Sequence, residues 1–193
     1  SSGVQEFFIF SLWISNYCHK YIMQNRYLRQ FCLLSYRKMS SSSAAQVRPT
    51  AASGSQVYES ERAVHEYMLF HYGRETDHMP FESGPKDALN FPARCANVCV
   101  DNCTIPVARE GRALDIGCAV GGASFQLARH FRDVVGIDFS EHFIEAANTI
   151  KSKGHFDFNI LERGNVYKKC STDLDQSIDL SRVTFKTGDA CNL

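Results

Sequence analysis

The sequence has no excess of charge of either sign. Its 193 residues include 21 Lys and Arg and 21 Asp and Glu, so the formal net charge is zero. A chain that binds nucleic acid through its overall field needs a surplus of basic residues. The balance of charge therefore argues against nucleic acid as a partner, and we expect none.

Apolar runs of membrane-spanning length are also lacking. The run from Phe7 to Ile14 is far shorter than the roughly 20 residues that a bilayer requires. No basic residues precede it, as they would in a signal peptide, so we expect no membrane association. The stretch up to Lys38 carries basic residues without an acid after this run, which leaves a mitochondrial presequence open as an alternative.

The first 57 residues differ in character from the rest of the chain. From Met39 to Val57, Ser, Ala, Gly and Pro dominate, and such a composition buries too little apolar surface to fold. We therefore expect residues 1–57 to be a disordered or non-native extension, with Met39 as a possible true start.

The eight cysteines form no paired extracellular framework, which favours a reducing, cytoplasmic setting. Cys95, Cys99 and Cys103 are spaced to share one helix face. This spacing is typical of neither a zinc knuckle nor an iron–sulfur site, so we predict no metal and expect small buried thiols.

One segment carries most of the functional information. An apolar run ends in Asp115 and passes into a turn with Gly117, Ala119 and Gly121, after which the pattern becomes helical. Small residues let the turn adopt conformations closed to larger ones and let a ligand lie against the main chain. A strand, a small-residue turn and a helix N-terminus in this order predict an α/β nucleotide site.

Two further strands are predicted to end in acids. The run from Val134 to Ile137 ends in Asp138, 21 residues past Gly117, where a carboxylate is placed to accept ribose hydroxyls. The run from Arg182 to Thr187 leads to Asp189, which suits an adenine amino group.

Two cofactor types compete for this turn. A dinucleotide fingerprint through Gly117, Ala119 and Gly122 is imperfect, and it leaves a nicotinamide-dependent oxidoreductase as an alternative. The acid before the turn would repel a pyrophosphate but attract an ammonium group. Acids at three strand ends therefore favour S-adenosylmethionine, a cationic ligand without phosphates.

Several segments resemble the C-terminal methyltransferase domain of the ovothiol synthase family. The resemblance covers about Tyr58 to Leu193 and rests on these runs: Glu66-Tyr67-Met68-Leu69-Phe70-His71-Tyr72-Gly73, Phe91-Pro92-Ala93-Arg94-Cys95-Ala96, Leu114-Asp115-Ile116-Gly117-Cys118-Ala119-Val120-Gly121, Gly136-Ile137-Asp138-Phe139-Ser140 and Gly188-Asp189-Ala190-Cys191-Asn192-Leu193. The resemblance implies N-methylation of the imidazole of thiohistidine, with S-adenosylmethionine as cofactor and iron-dependent sulfoxide synthase domains as partners.

The resemblance also implies roles for individual residues in binding the cofactor. The residues implied to contact the methionine part of S-adenosylmethionine are Asp115, Gly117, Ala119 and Gly121. Asp138 is implied for the ribose, Asp189 and Ala190 are implied for the adenine, and Phe139 is a further cofactor contact.

A helix is predicted to begin near Tyr58 to Glu61 and to end at Gly73, where it would cap the cofactor cleft. His71 and Tyr72 at its end are the candidate catalytic residues, because either would serve as a base if the acceptor nitrogen is bound in its protonated form. Candidate substrate contacts are Tyr67 on this helix and Arg94 on a second helix that Pro92 begins. The segment from Arg74 to Leu89 is predicted to be a flexible crossing.

The predicted fold is α/β, a Rossmann-like class I methyltransferase fold with N-terminal cap helices. Ser140 is predicted to begin a helix that ends at Gly154, and a β-hairpin follows over residues 156–170. Only three sheet strands are predicted, at about 112–116, 134–138 and 183–187. We therefore expect residues 58–193 to be the N-terminal part of a domain that is truncated after the third strand. Such a fragment is expected to be inactive alone, or to be a cofactor-binding half-domain that needs a partner chain.

Overall fold

The computed structural model describes residues 7–11, 56–79, 83–84, 86–101 and 111–190. The strands are β1 (Phe7–Ser11), β2 (Arg112–Ile116), β3 (Asp133–Asp138), β4 (His155–Arg163), β5 (Val166–Asp173) and β6 (Val183–Thr187). The α-helices are α1 (Glu61–Tyr72), α2 (Glu75–His78), α3 (Phe91–Asp101), α4 (Gly122–Leu127) and α5 (Glu141–Lys153). Short 3-10 turns cover Gln56–Tyr58, Lys86–Ala88 and Leu180–Arg182.

A parallel sheet in the order β1-β2-β3-β6 forms the centre of the described structure. Leu114 of β2 lies in register with Val135 of β3, which in turn lies beside Thr184 of β6. Helices connect these parallel strands, so their carboxyl ends meet at one edge of the sheet. This arrangement is the predicted Rossmann-like α/β fold, and the prediction of fold class is confirmed.

The sheet contains one strand that the sequence analysis does not predict. β1 pairs in parallel with β2, so that Phe10 lies in register with Asp115. The segment is rich in aromatic and β-branched residues, and the edge of β2 offers unpaired backbone groups, so pairing is favourable. This strand corrects the expectation of three sheet strands and of a disordered extension at residues 7–11. The linker expected over residues 39–57 lies outside the described residues, except for Gln56 and Val57.

The helices flanking the sheet begin and end at residues that the sequence identifies. Ser60 caps α1 by accepting a hydrogen bond from the N–H of Ala63, and the helix ends at Gly73. Ser140 caps α5 in the same way, and Gly154 ends that helix with a φ of +77°. The predicted helix bounds are therefore confirmed for both, and the core forms where these helices pack against the sheet.

The described part of the segment from Arg74 to Leu89 is more ordered than predicted. It contains α2, whose first turn is held by the Asp77 carboxylate accepting hydrogen bonds from the backbone N–H and Nε of Arg74, at 3.1 and 2.9 Å. The same carboxylate lies 2.8 Å from Nζ of Lys168 on β5. These bonds fix α2 to the hairpin, so the expected flexible crossing is wrong for this part of the segment.

The predicted β-hairpin is confirmed. β4 and β5 pair antiparallel as a separate two-stranded sheet, with Phe158 opposite Cys170. Both of these side chains are buried against the rest of the domain. At the far end, Leu161 and Tyr167 are exposed.

The described residues contain neither a membrane-spanning helix nor a metal-binding cluster. No helix among them is long and apolar enough to cross a bilayer. They contain no group of three or more side chains arranged to bind a metal. Cys95 and Cys99 lie half-buried on α3, whereas Cys103 lies outside the described residues.

Candidate active site

Three acids lie at or just after the ends of adjacent strands, at the carboxyl edge of the parallel sheet. Asp115 lies near the end of β2, Asp138 ends β3, and Asp189 comes two residues after β6. The N–H of Gly188 donates a hydrogen bond to the backbone oxygen of Asp138 at 2.8 Å. The strand ends therefore bring the acids to the edge at which open α/β sheets bind their ligands.

The turn after β2 has an unusual backbone. Gly117, Ala119 and Gly121 all have positive φ, at +74°, +47° and +87°. Ala119 is in the left-handed region despite its side chain, where L-residues other than Gly are uncommon. The turn is fixed to β3 because the N–H groups of Gly117 and Cys118 donate to the oxygen of Ile137, at 2.8 and 3.0 Å.

The two glycines of this turn serve different purposes. A Cβ added to Gly117 would have no neighbour within 4 Å, so the backbone there borders open space. A Cβ on Gly121 would instead lie 2.6 Å from the ring of Phe185. Gly117 therefore leaves room for a ligand against the main chain, and Gly121 is required by internal packing.

Asp115 is completely buried, with a relative exposure of 0%. The hydroxyl of Ser124 donates a hydrogen bond of 2.6 Å to its Oδ2. Oδ1 has no hydrogen-bond partner within the described part of the chain. Burial raises the pKa of this carboxyl to about 7, and the nearby Asp138 adds to the increase. A buried acid with one unsatisfied oxygen is suited to a cationic or hydrogen-donating ligand.

Asp138 is bound by the main chain. Its Oδ2 accepts the N–H of Ala119 and its Oδ1 accepts the N–H of Ser140, each at 2.9 Å. Burial raises the pKa of this carboxyl, while hydrogen bonds from the main chain oppose the increase. Each oxygen keeps a lone pair, so the carboxylate can still accept hydroxyl groups.

His71 and Tyr72, the predicted catalytic residues, both contact the backbone of the turn region. The N–H of Gly122 donates to Nδ1 of His71 at 3.2 Å, and the Tyr72 hydroxyl donates to the oxygen of Val120 at 2.8 Å. Burial lowers the pKa of His71 to about 3 and raises that of Tyr72 well above its usual value. Nδ1 of His71 is thus already an acceptor, which makes this residue a positioning group for the turn.

Tyr67, a predicted substrate contact, lies in an aromatic cluster beside the turn after β3. Its ring centre is 4.5 Å from that of Phe143 and 6.1 Å from that of Tyr58. Burial raises the pKa of the Tyr67 hydroxyl, with further contributions from Tyr58 and Asp138. The cluster is tied to the site by Ser140, whose hydroxyl donates to the oxygen of Tyr58 at 3.0 Å.

The remaining predicted contacts occupy varied surroundings. Arg94 is half-buried on α3; this helix is joined to α4 by a 2.8 Å hydrogen bond from Gln126 to Asn97. Phe139 is half-buried directly after β3, and Ala190 is exposed after β6. The surroundings of Arg94, Phe139 and Ala190 do not indicate a ligand contact for any of them.

Sequence reasoning did not identify Ser124 as part of this site. Its signal was its position as a polar residue among the buried residues of α4, nine positions after Asp115. Buried hydroxyl groups need a hydrogen-bond partner, so a buried Ser124 predicts an acceptor near it.

Comparison with known proteins agrees with this geometry. Residues 108–192, which include the turn and all three acids, match the family described as "Methyltransferase domain". No curated protein matches the chain. The match supports the class I methyltransferases as a whole and does not reach the ovothiol synthase family. Residues 108–192 are therefore similar to a methyltransferase domain, and the described structure has a Rossmann-like fold consistent with that class.

Proposed function

We propose that this domain uses S-adenosylmethionine to methylate an imidazole nitrogen of thiohistidine. The observation that carries the cofactor assignment is a pair of acids, the buried Asp115 and the partly buried Asp138, on either side of a turn with three positive φ values. Neither acid forms an ion pair within the described residues, so both remain available to a cationic ligand. The thiohistidine acceptor is supported by the resemblance to the ovothiol synthase family.

The residues present fit this cofactor. In the proposal, Asp115 and the open backbone at Gly117 hold the methionine part, and Asp138 with Phe139 holds the ribose. The adenine would lie near Asp189 and Ala190. S-adenosylmethionine, when bound, supplies a methyl group on positively charged sulfur, which the imidazole nitrogen of the acceptor takes by in-line displacement.

The chain's own contribution is mainly positioning. Two aligned reactants in a closed cleft can gain roughly 7 to 11 kcal/mol from effective molarity alone. α1 would provide this closure, because His71 and Tyr72 attach its end to the cofactor turn. Tyr67 and Arg94 are proposed to contact the acceptor. The sulfoxide synthase domains of the same family are proposed as partners.

Calorimetry with S-adenosylmethionine and with NADH tests the cofactor assignment. We expect the chain to bind S-adenosylmethionine and not NADH. Asp138→Asn should weaken the binding at least tenfold, because it removes a charged acceptor. The matched control Asp157→Asn changes an exposed residue of the hairpin and should bind like the wild type. Binding of NADH alone would contradict the proposal and favour an oxidoreductase.

Mass spectrometry of thiohistidine incubated with S-adenosylmethionine tests the acceptor. The assay should use both the 193-residue chain and the longest natural polypeptide that contains it. We expect a methylated product from the longer form. If the longer form binds S-adenosylmethionine but methylates only other imidazoles or none, the thiohistidine assignment is wrong and the cofactor assignment stands.

A further inference from the structure

The hydrogen bond between Ser124 and Asp115 joins two fully buried side chains. The Ser124 hydroxyl lies 2.6 Å from Oδ2 of Asp115, and both residues have a relative exposure of 0%. Bonds of this length are typical of a hydroxyl that donates to an ionised carboxylate. The contact therefore favours the charged form of an acid that burial would otherwise neutralise.

The neighbouring strand leaves space for this contact. Gly136 of β3 lies in register with Asp115. A Cβ added to Gly136 would come within 2.8 Å of the Ser124 hydroxyl and of the Phe185 ring. The glycine thus leaves room for a hydroxyl that α4 directs toward β2.

Among the described residues, the ionisable groups that act on Asp115 carry no positive charge. Asp138 raises its pKa, and the partly buried Tyr72 and the buried Cys118 would each be an anion if they ionised. Ser124 is the hydrogen-bond donor to Asp115 within the described residues. Oδ1 is left as the unsatisfied acceptor.

We propose that Ser124 is a positioning residue, whose hydroxyl holds the Asp115 carboxylate ionised and leaves Oδ1 to receive a cationic group of the ligand. The choice of S-adenosylmethionine as that ligand rests on the proposed function. The effect of Ser124 on the ionisation of Asp115 does not depend on any ligand, so the two parts can be tested separately.

The ligand-independent test is a ¹³C NMR titration of the Asp115 carboxyl, identified by its loss in Asp115→Asn. Ser124→Ala should move the titration midpoint up by about one to two pH units, because a hydrogen bond to the charged form is lost. Ser124→Thr keeps the hydroxyl and should restore the wild-type midpoint. Ser152→Ala, which removes a helix hydroxyl that donates to the oxygen of Thr149, should leave it unchanged.

An unchanged midpoint in a folded Ser124→Ala variant would overturn the proposal. If that variant does not fold, Ser124→Cys replaces it, since a thiol is of similar size but donates weakly. The cysteine variant should also move the midpoint upward, and an unchanged value would again count against the role of Ser124.

Calorimetry between pH 6 and 9 tests the ligand part. Binding of S-adenosylmethionine to the wild type should strengthen as pH rises through the titration of Asp115. In Ser124→Ala the same rise should occur at higher pH, with binding about five- to fiftyfold weaker at pH 7, because a midpoint shift of one to two pH units reduces the ionised fraction of Asp115 by that factor. If the wild type does not bind the cofactor, the proposed function fails while the NMR result still decides the role of Ser124. Equal affinity and equal pH dependence in both proteins would overturn the inference alone.

Discussion

The turns after β2 and β3 follow neighbouring strands, but the acids beside them, Asp115 and Asp138, receive different hydrogen-bond donors. Asp138 accepts two backbone N–H groups. Asp115 has one side-chain donor and an unsatisfied oxygen. An acid bound by the backbone helps to hold the fold together, whereas burying an incompletely satisfied carboxylate costs free energy. In the proposed function, Asp138 would therefore have both a structural and a binding role, whereas Asp115 would serve binding alone.

The two turns also differ in what holds them to the rest of the domain. His71 and Tyr72, at the end of α1, contact the backbone around the first turn. The second is held by Ser140, which binds the backbone of Tyr58. Both turns therefore depend on the segment just before or within α1, and changes in this segment should affect the cofactor site.

The largest effect is expected from Gly121→Ala in the first turn. Its φ of +87° strains any L-residue, and the new methyl group would meet Phe185 at 2.6 Å. Left-handed strain and overpacking together should lower the free energy of unfolding by about 2–5 kcal/mol. Urea unfolding measures this loss.

Gly117→Ala and Gly154→Ala are the controls for that change. Both positions have positive φ, and neither has an atom within 4 Å of the added Cβ. Each should cost only about 1–2 kcal/mol, and only Gly117→Ala should weaken cofactor binding. A Gly121→Ala variant as stable as Gly117→Ala would disprove the packing role of Gly121.

His71→Ala should destabilise the first turn more than the second. It leaves the N–H of Gly122 without its acceptor and opens a cavity, which together should cost about 2–4 kcal/mol at pH 7. Hydrogen exchange should then increase at residues 117–122 more than at 138–140. Equal increases at both turns would contradict the specific link between His71 and the first turn.

The cost of His71→Ala should shrink at low pH. The pKa of His71 is lowered to about 3 in the folded chain, against 6.5 for the ordinary side chain. Neutral His71 therefore contributes its full stability above pH 6.5 and loses it as pH falls toward 3, because only the unfolded state takes up the proton. Asp115 titrates in both the wild type and His71→Ala, so its contribution cancels in the difference between their free energies of unfolding. A pH-independent difference in urea unfolding would argue against burial of a neutral imidazole.

Asp138→Asn and Asp115→Asn should have different effects on stability. Asparagine at 138 can accept only one of the two N–H groups with its carbonyl, so that variant should lose about 1–3 kcal/mol. Asparagine at 115 removes a buried charge and still accepts from Ser124. Its stability at pH 7 should be close to the wild-type value or higher.

The pH dependence sharpens the comparison at Asp115. Its pKa is raised to about 7 from 3.8. The protonated acid therefore contributes stability that is fully present below pH 3.8 and is lost as pH rises from about 4 to 7, where only the unfolded state has released the proton. Asp115→Asn should gain stability relative to the wild type between pH 4 and 7 in thermal unfolding, even though it should weaken cofactor binding. A relative loss over this range would mean that the charged carboxylate is well satisfied.

The smallest effect is expected on the outer face of α1. Arg62 and Glu66 form a 2.8 Å ion pair, with side chains 84% and 61% exposed. Exposed pairs of this kind contribute little. Arg62→Ala should leave both the midpoint of unfolding and the cofactor affinity unchanged, which makes it the control for the α1 variants. A change in cofactor affinity would show that α1 affects the site through more than His71 and Tyr72.

Much of the fold could be predicted from local patterns. The ends of α1 and α5 follow from Ser60, Ser140 and their terminal glycines, because capping depends on residues only a few positions apart. The hairpin is likewise a local feature. β1 could not be predicted, because a short apolar run becomes a strand only where a distant sheet edge is available to pair with it.

The sequence by itself determined the α/β class, the positive-φ turn and the three strand-end acids, since each depends on residue types at fixed local spacing. Only the tertiary structure decided how those groups are used. It placed Ser124 against Asp115, occupied Nδ1 of His71 with a backbone N–H, and gave Asp138 two main-chain donors. These contacts join residues from 2 to 51 positions apart, and most of them form only after the helices pack on the sheet. A pattern of neighbouring residues cannot specify such contacts, because burial and hydrogen-bond partners depend on the packed structure.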